Sequence, residues 1–151
     1  MIGIYRDRVG AFTEPYIRPQ ESGNRTDVRY FALRNAEGEG LMFAAVETPF
    51  SFQVRHFSDR ALASFKHRED IVEENVTYCS VLGAVSGVGS NSCGPLPLKR
   101  YCLDPSRRHR LHVRILPFRA EESAIDYAAE VPSSIADQSQ PSNGAIAQKQ
   151  E

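Results

Sequence analysis

Alternation of apolar and polar positions dominates the chain up to Phe118. In TDVRYFAL (26–33), Val28, Tyr30 and Ala32 fall on one face of an extended segment and Arg29, Phe31 and Leu33 on the other. NAEGEG is a turn built of chain-bending residues, and LMFAAV follows as the expected hairpin partner. PFSFQVRHF then predicts a strand with Phe50, Phe52 and Val54 inward and Ser51, Gln53 and Arg55 outward. The pattern breaks at SDRALASFKHRED, where Ser58 or Asp59 can cap a short helix carrying Leu62 and Phe65 on one side. NVTYCSVL (75–82) returns to β-branched and aromatic composition. RLHVRILPF (110–118) sets Leu111, Val113 and Ile115 against His112, Arg114 and Leu116 as a last strand. The expectation is an all-β, antiparallel architecture with one short helix.

Beyond Phe118 the period is lost. PSSIADQSQPSNGAIAQKQE has too little apolar surface to offset chain entropy, so residues 119–151 are expected to be a disordered tail, with a turn or two of helix within the Ala-rich stretch 123–130. No internal repeat is present. The 151 residues suit a single domain of ordinary size. Charge is uneven: residues 1–118 sum to +3 and residues 119–151 to −4. Neither value is the basic balance of a nucleic-acid binder. Arginine outnumbers lysine fifteen to three, which favours forked hydrogen bonding over a generic cationic surface. No apolar run approaches the roughly 20 residues that span a bilayer. Charges interrupt MIGIYRDRVGAF where a secretory signal needs its apolar core, and three cysteines leave one over in any pairing. Both features point to a reducing, cytoplasmic location.

Candidate chemistry is sparse. GVGSNSCGPLPLKRY (87–101) is a shaped, exposed loop with a lone Cys93. It lacks the third glycine of a dinucleotide fingerprint and the Lys-Ser/Thr ending of a phosphate loop. A nucleophilic Cys93 would need an activating base or a helix N-terminus, and no signature supplies either. His109 and His112, three apart in a strand, would point to opposite faces and could not share a metal. His56 and His67 have no partner at ligand spacing. RRHR (107–110) reads as a solvated turn without the interleaved aromatics of a single-strand binder. Glu14 and Glu21 are separated by two prolines, with nothing to hold them at the ~5–5.5 Å of a retaining glycosidase pair. No catalytic residue and no metal site is identified.

YIRPQESGNRTDVRYFAL (16–33) resembles a segment of the C-terminal module of lacZ-type β-galactosidases, glycoside hydrolase family 2. FSFQVRHFSDRAL, KHREDI, GVGSNSCGP and RLHVRILPF continue the resemblance in the family's order, over residues 12–118. The resemblance implies part of an antiparallel β-sandwich, similar to the galactose mutarotase supersandwich, here about its second half. It implies that hydrolysis belongs elsewhere, to two glutamates on a (β/α)8 barrel that this chain does not contain. The magnesium and sodium of such enzymes would likewise sit at the barrel, leaving no cofactor in this chain. The implied partners are a barrel-bearing β-galactosidase chain and a galactoside sugar, with neither nucleic acid nor membrane.

At or next to Cys93 many relatives place a tryptophan that lines the substrate site, and others carry the same Ser-Cys-Gly-Pro. Asn91, Ser92 and Cys93 are therefore the candidate substrate-proximal residues. Gly87 and Gly89 permit positive φ, and Pro95 fixes the loop's exit. Two departures stand out: Leu82 occupies the place of a frequent Asp before the loop, and Ser86 stands near that of a Met. A half sandwich is also expected to expose apolar faces and unpaired edges. Three other readings stay open: an independent carbohydrate-binding module, an epimerase of the mutarotase type, and a gene fragment without its own activity. The first would need aromatic platforms, but the chain has no tryptophan, and only Tyr78 and Tyr101 flank the loop.

Overall fold

The computed structural model describes residues 3–14, 16, 22–86 and 94–119. Its strands form two separate three-stranded antiparallel sheets, joined by short 3-10 turns and one α-helix. The all-β expectation with one short helix is met. The described chain divides into two compact units, one of residues up to Arg29 with Pro49–Leu111, the other of Tyr30–Thr48 with residues from His112.

The first unit holds β1 (Arg25–Val28), β4 (Phe50–Arg55) and β5 (Tyr78–Leu82), in the order β1-β4-β5. Segment 26–33, expected as one strand, is two: the chain leaves this sheet after Val28 and enters the other at Tyr30. An irregularity in β1 precedes the break. Arg25 pairs with Phe52 and Val28 with Phe50, so three steps on β1 oppose two on β4. That extra residue is a β-bulge, and Asp27 sits within it at φ 55°, a left-handed conformation that Asp tolerates better than most side chains.

Pairing of β4 with β5 is unbroken from Ser51↔Leu82 to Arg55↔Tyr78. Phe50, Phe52 and Val54 are buried, as their alternation predicts. The outward assignment of Gln53 and Arg55 is overturned: they are only 3% and 4% exposed. A central strand can be covered on both faces, and alternation then no longer reports burial. After β4 the helix α1 (Asp59–Ser64) begins where Ser58 Oγ accepts a hydrogen bond from the Ala61 amide at 3.1 Å. Ser58 is therefore the cap, and Asp59 lies in the first turn. Phe65, expected on the helix with Leu62, has extended backbone at the C-cap and is 37% exposed.

The second unit holds β2 (Tyr30–Arg34), β3 (Gly40–Ala45) and β6 (Val113–Phe118), in the order β2-β3-β6. The β2–β3 hairpin follows the reading of NAEGEG. Asn35 closes it, its carbonyl accepting from the Gly38 amide (3.2 Å) and its side-chain Oδ1 from the Glu39 amide (2.8 Å). Gly38 has φ 91°, which a side chain would strain. Gly40 is required for a different reason: a Cβ there would lie 1.9 Å from Leu33 O and 2.8 Å from Phe118 Cζ.

One face of this sheet is the core: Met42, Ala44 and Phe118, with Tyr30, Ala32 and Leu116 packed against them. Met42 is fully buried, worth about 1.5–3 kcal/mol of apolar transfer. The last strand starts three residues later than expected. Of its two faces, the one carrying Leu116 and Phe118 joins the core, while Ile115 on the other is 56% exposed. His112 lies outside the strand, where its carbonyl accepts from Val46 N (3.2 Å) and its ring Nδ1 meets Glu47 Oε1 at 3.1 Å. The tail expected over 119–151 lies, but for Arg119, outside the described residues.

Candidate functional site

The candidate residues Asn91, Ser92 and Cys93 lie outside the described residues, as do Gly87 and Gly89. Their frame is described. β5 is the arm that enters the loop, held along its length by the central strand β4. Immediately after it, Gly83 lets the backbone run close to another segment: a Cβ there would meet Leu111 Cβ at 3.3 Å. Ser86 then closes the base of the loop, its Oγ accepting from the Leu103 amide at 3.2 Å. That one bond ties the incoming arm to the outgoing arm seventeen residues later. Ser86 entered the sequence analysis only as a departure from the family's pattern, and its role as a clasp carried no sequence signal.

The outgoing arm is ordered by local bonds. A 3-10 turn at Lys99–Tyr101 is closed by Tyr101 N to Leu98 O (2.8 Å) and Cys102 N to Lys99 O (3.1 Å). Tyr101 projects from it with the Arg100 guanidinium 4.8 Å above its ring. Leu96, Leu98 and Leu103 are also exposed on this arm. Farther on, Asp104 organises the RRHR turn. Its Oδ1 accepts from the Ser106 amide (2.9 Å) and hydroxyl (2.6 Å), and its carbonyl accepts from Arg107 N (3.2 Å). His109 Nε2 lies 2.9 Å from the same carbonyl, which only accepts, so Nε2 carries the proton. The Ser106 hydrogen bonds hold the Asp104 carboxyl below the usual carboxylate range.

At the end of β4 that pairs with the start of β5 lies a polar centre that alternation concealed. The Arg55 guanidinium forms an ion pair with Asp59 at the start of α1, and its Nη2 donates to Gln53 Oε1 at 3.3 Å. It also lies 5.8 Å above the Phe57 ring. Arg55 Nη1 is buried without a hydrogen-bond partner among the described residues. The signal that could have found this pair is the spacing itself: an Arg late in an apolar strand, four residues before an acid in a helix's first turn. Tyr78, opposite Arg55 on β5, donates its hydroxyl to Glu74 Oε2 at 2.9 Å, which pushes its pKa up. Burial pushes the Cys79 thiol up, away from reactivity.

These groups can position a loop and hold a strand; they do not form an acid–base pair around a reacting atom. Among the described residues there is no group of three or more His, Cys, Asp or Glu that could hold a metal ion. Among those residues also, no helix is long and apolar enough to cross a membrane. A cleft of about 220 Å³ in the first unit is lined by Thr13, Glu14, Tyr16, Phe57 and Leu62 among others. Glu14 is thus placed in a cleft, while Glu21 lies outside the described residues.

Compared with known proteins, residues 1–115 match the family model described as the β-galactosidase small chain. The chain belongs to the β-galactosidase small-chain family. It is 32% identical over 117 residues to a β-galactosidase of Lactobacillus delbrueckii subsp. bulgaricus, covering 77% of this chain and 11% of that protein. The Streptococcus thermophilus β-galactosidase is 29% identical over the same length and shares. The Kluyveromyces lactis β-galactosidase is 34% identical over 103 residues, covering 67% of this chain and 10% of that enzyme. This small-chain module thus spans about a tenth of the length of the relatives it matches.

Proposed function

We propose that this chain is a non-catalytic part of a β-galactosidase and completes the galactoside site of a barrel-bearing chain. The observation that carries the reading is the small-chain match over residues 1–115, which includes the glycine loop and both its arms. In this reading the two catalytic glutamates, and the magnesium and sodium, belong to the barrel. The role of Asn91, Ser92 and Cys93 is contact with the sugar of a terminal β-D-galactoside, at the tip of a loop whose base Ser86 clasps. A small, weakly polar tip approaches a sugar ring closely, and no proton transfer is asked of it. The place of action is the cytoplasm.

The test is hydrolysis of a chromogenic β-galactoside by three samples: this chain, a family 2 β-galactosidase lacking the matching segment, and their mixture. Activity confined to the mixture is the expected result. Loss of affinity on Cys93→Ala would then assign the loop its sugar contact. Silence of the mixture, with saturable galactose binding by this chain alone, would instead establish the carbohydrate-binding module.

A further inference from the structure

An exposed sheet edge presents a row of backbone N–H and C=O groups that another strand can pair, and natural proteins usually blunt such edges. The two sheets have four edge strands, and three carry such a device. β1 is four residues long, bulged, and exposes Arg25 and Asp27. β6 carries Arg114 and Pro117. β2 ends in the charged and exposed Arg34. Among the described residues β5 has no such protection. Its sequence Tyr-Cys-Ser-Val-Leu contains no charge, proline or glycine, its register with β4 is unbroken, and each of its residues is half-buried. Among the described residues no backbone bond reaches its outer side.

We infer that the outer edge of β5 is a docking edge, paired in the assembled enzyme by an extended strand from the remainder of the β-galactosidase. The inference rests on the proposed function and names the surface through which it operates. Three observations select that occupant. Backbone groups in a flat row are satisfied in register only by another extended chain. The relatives are about nine times longer than the stretch they share with this chain, so most of the enzyme lies beyond it. And β5 leads directly through Gly83 to the Ser86 clasp, so a strand added there would fix the incoming arm of the loop. Docking and loop placement are then one event.

Hydrogen–deuterium exchange tests this on the full chain, alone and mixed with a family 2 β-galactosidase lacking the matching segment. In the mixture, the outward amides of 78–82 should slow by about a hundredfold or more, while those of 25–28 stay unchanged. Ser80→Lys, which puts a blunting charge on the edge, should cut the activity of the mixture at least about tenfold with an unchanged circular dichroism spectrum. Thr77→Lys, just outside the strand, should leave it intact. Active mixtures in which 78–82 exchange as before, or in which Ser80→Lys complements fully, would overturn the docking edge and leave the proposed function standing. Protection of 78–82 in the chain alone, with a dimer's mass, would assign the edge to a second copy instead. Neither complex nor activity would remove both readings.

Discussion

The Arg55–Asp59 pair makes a quantitative prediction because its two partners are so unequally buried. Arg55 is 4% exposed and Asp59 77%. Asp59→Ala leaves a guanidinium in the interior with Gln53 Oε1 and the Phe57 ring as its remaining polar and aromatic partners among the described residues. Exposed pairs are worth about 0–1 kcal/mol, whereas removing one partner of a fully buried pair costs about 3–5 kcal/mol. One wet partner and one dry one place the loss at about 2 kcal/mol. The lost acid in the first helical turn and the gained helix propensity of Ala nearly offset each other. For a chain of this size that loss lowers Tm by about 4–8 °C.

Arg55→Met behaves differently. It removes the buried charge together with Nη1, which lacks a partner among the described residues, and it leaves an apolar stem against Phe57. The expected cost is about 1 kcal/mol or less, and the Asp59 carboxylate simply remains in water. Adding Asp59→Ala to Arg55→Met should therefore cost almost nothing more, giving a coupling energy of about 1.5 kcal/mol or above. Urea unfolding of the full chain and its three variants measures all of these. Equal losses in the two single variants, or additive losses in the double, would refute the claim that Arg55 is a buried charge held by one exposed partner.

Three further outcomes follow from other parts of the structure. Gly40→Ala should destabilise the second sheet by more than about 2 kcal/mol, because its Cβ would collide with the Leu33 carbonyl backbone; a loss near the ordinary ~1 kcal/mol would show that the hairpin yields easily. Ser58→Ala should cost about 1 kcal/mol through the lost cap on Ala61 N, read by thermal melting, and Ser58→Gly only a few tenths. The Asp104 carboxyl, held low by Ser106, should titrate below an ordinary aspartate in carbon-detected NMR and move up in Ser106→Ala. Because the folded pKa is the lower one, the turn's contribution is present above the unfolded value and is lost as acid carries the pH through the folded value. An Asp104 titration unchanged by Ser106→Ala would discard that cause.

Local chemistry was legible in the chain where the decisive partners are near in sequence. The hairpin closed by Asn35, the helix begun at Ser58 and the apolar row of Phe50, Phe52 and Val54 all stand in the structure as the pattern predicts. The ordered motifs from residue 16 to 118 were enough to point to the family. Residues 26–33 show the limit. Continuous alternation cannot tell which sheet a strand joins, and only the pairing of β1 with β4 and of β2 with β3 divides the segment.

Arg55 shows the same limit for burial. Its period placed it in water, but its strand is the centre of a sheet, and a position there is wet or dry according to what covers the face. The Ser86 clasp and the place of β5 at a sheet edge among the described residues likewise exist only once the chain is folded. Sequence alone indicated where the extended segments lie, where the helix starts and which family the motifs resemble, because those depend on neighbours along the chain. Tertiary structure decided which strands share a sheet, which polar groups are buried and which strands stand at the described sheets' edges, because those depend on partners that only folding brings together.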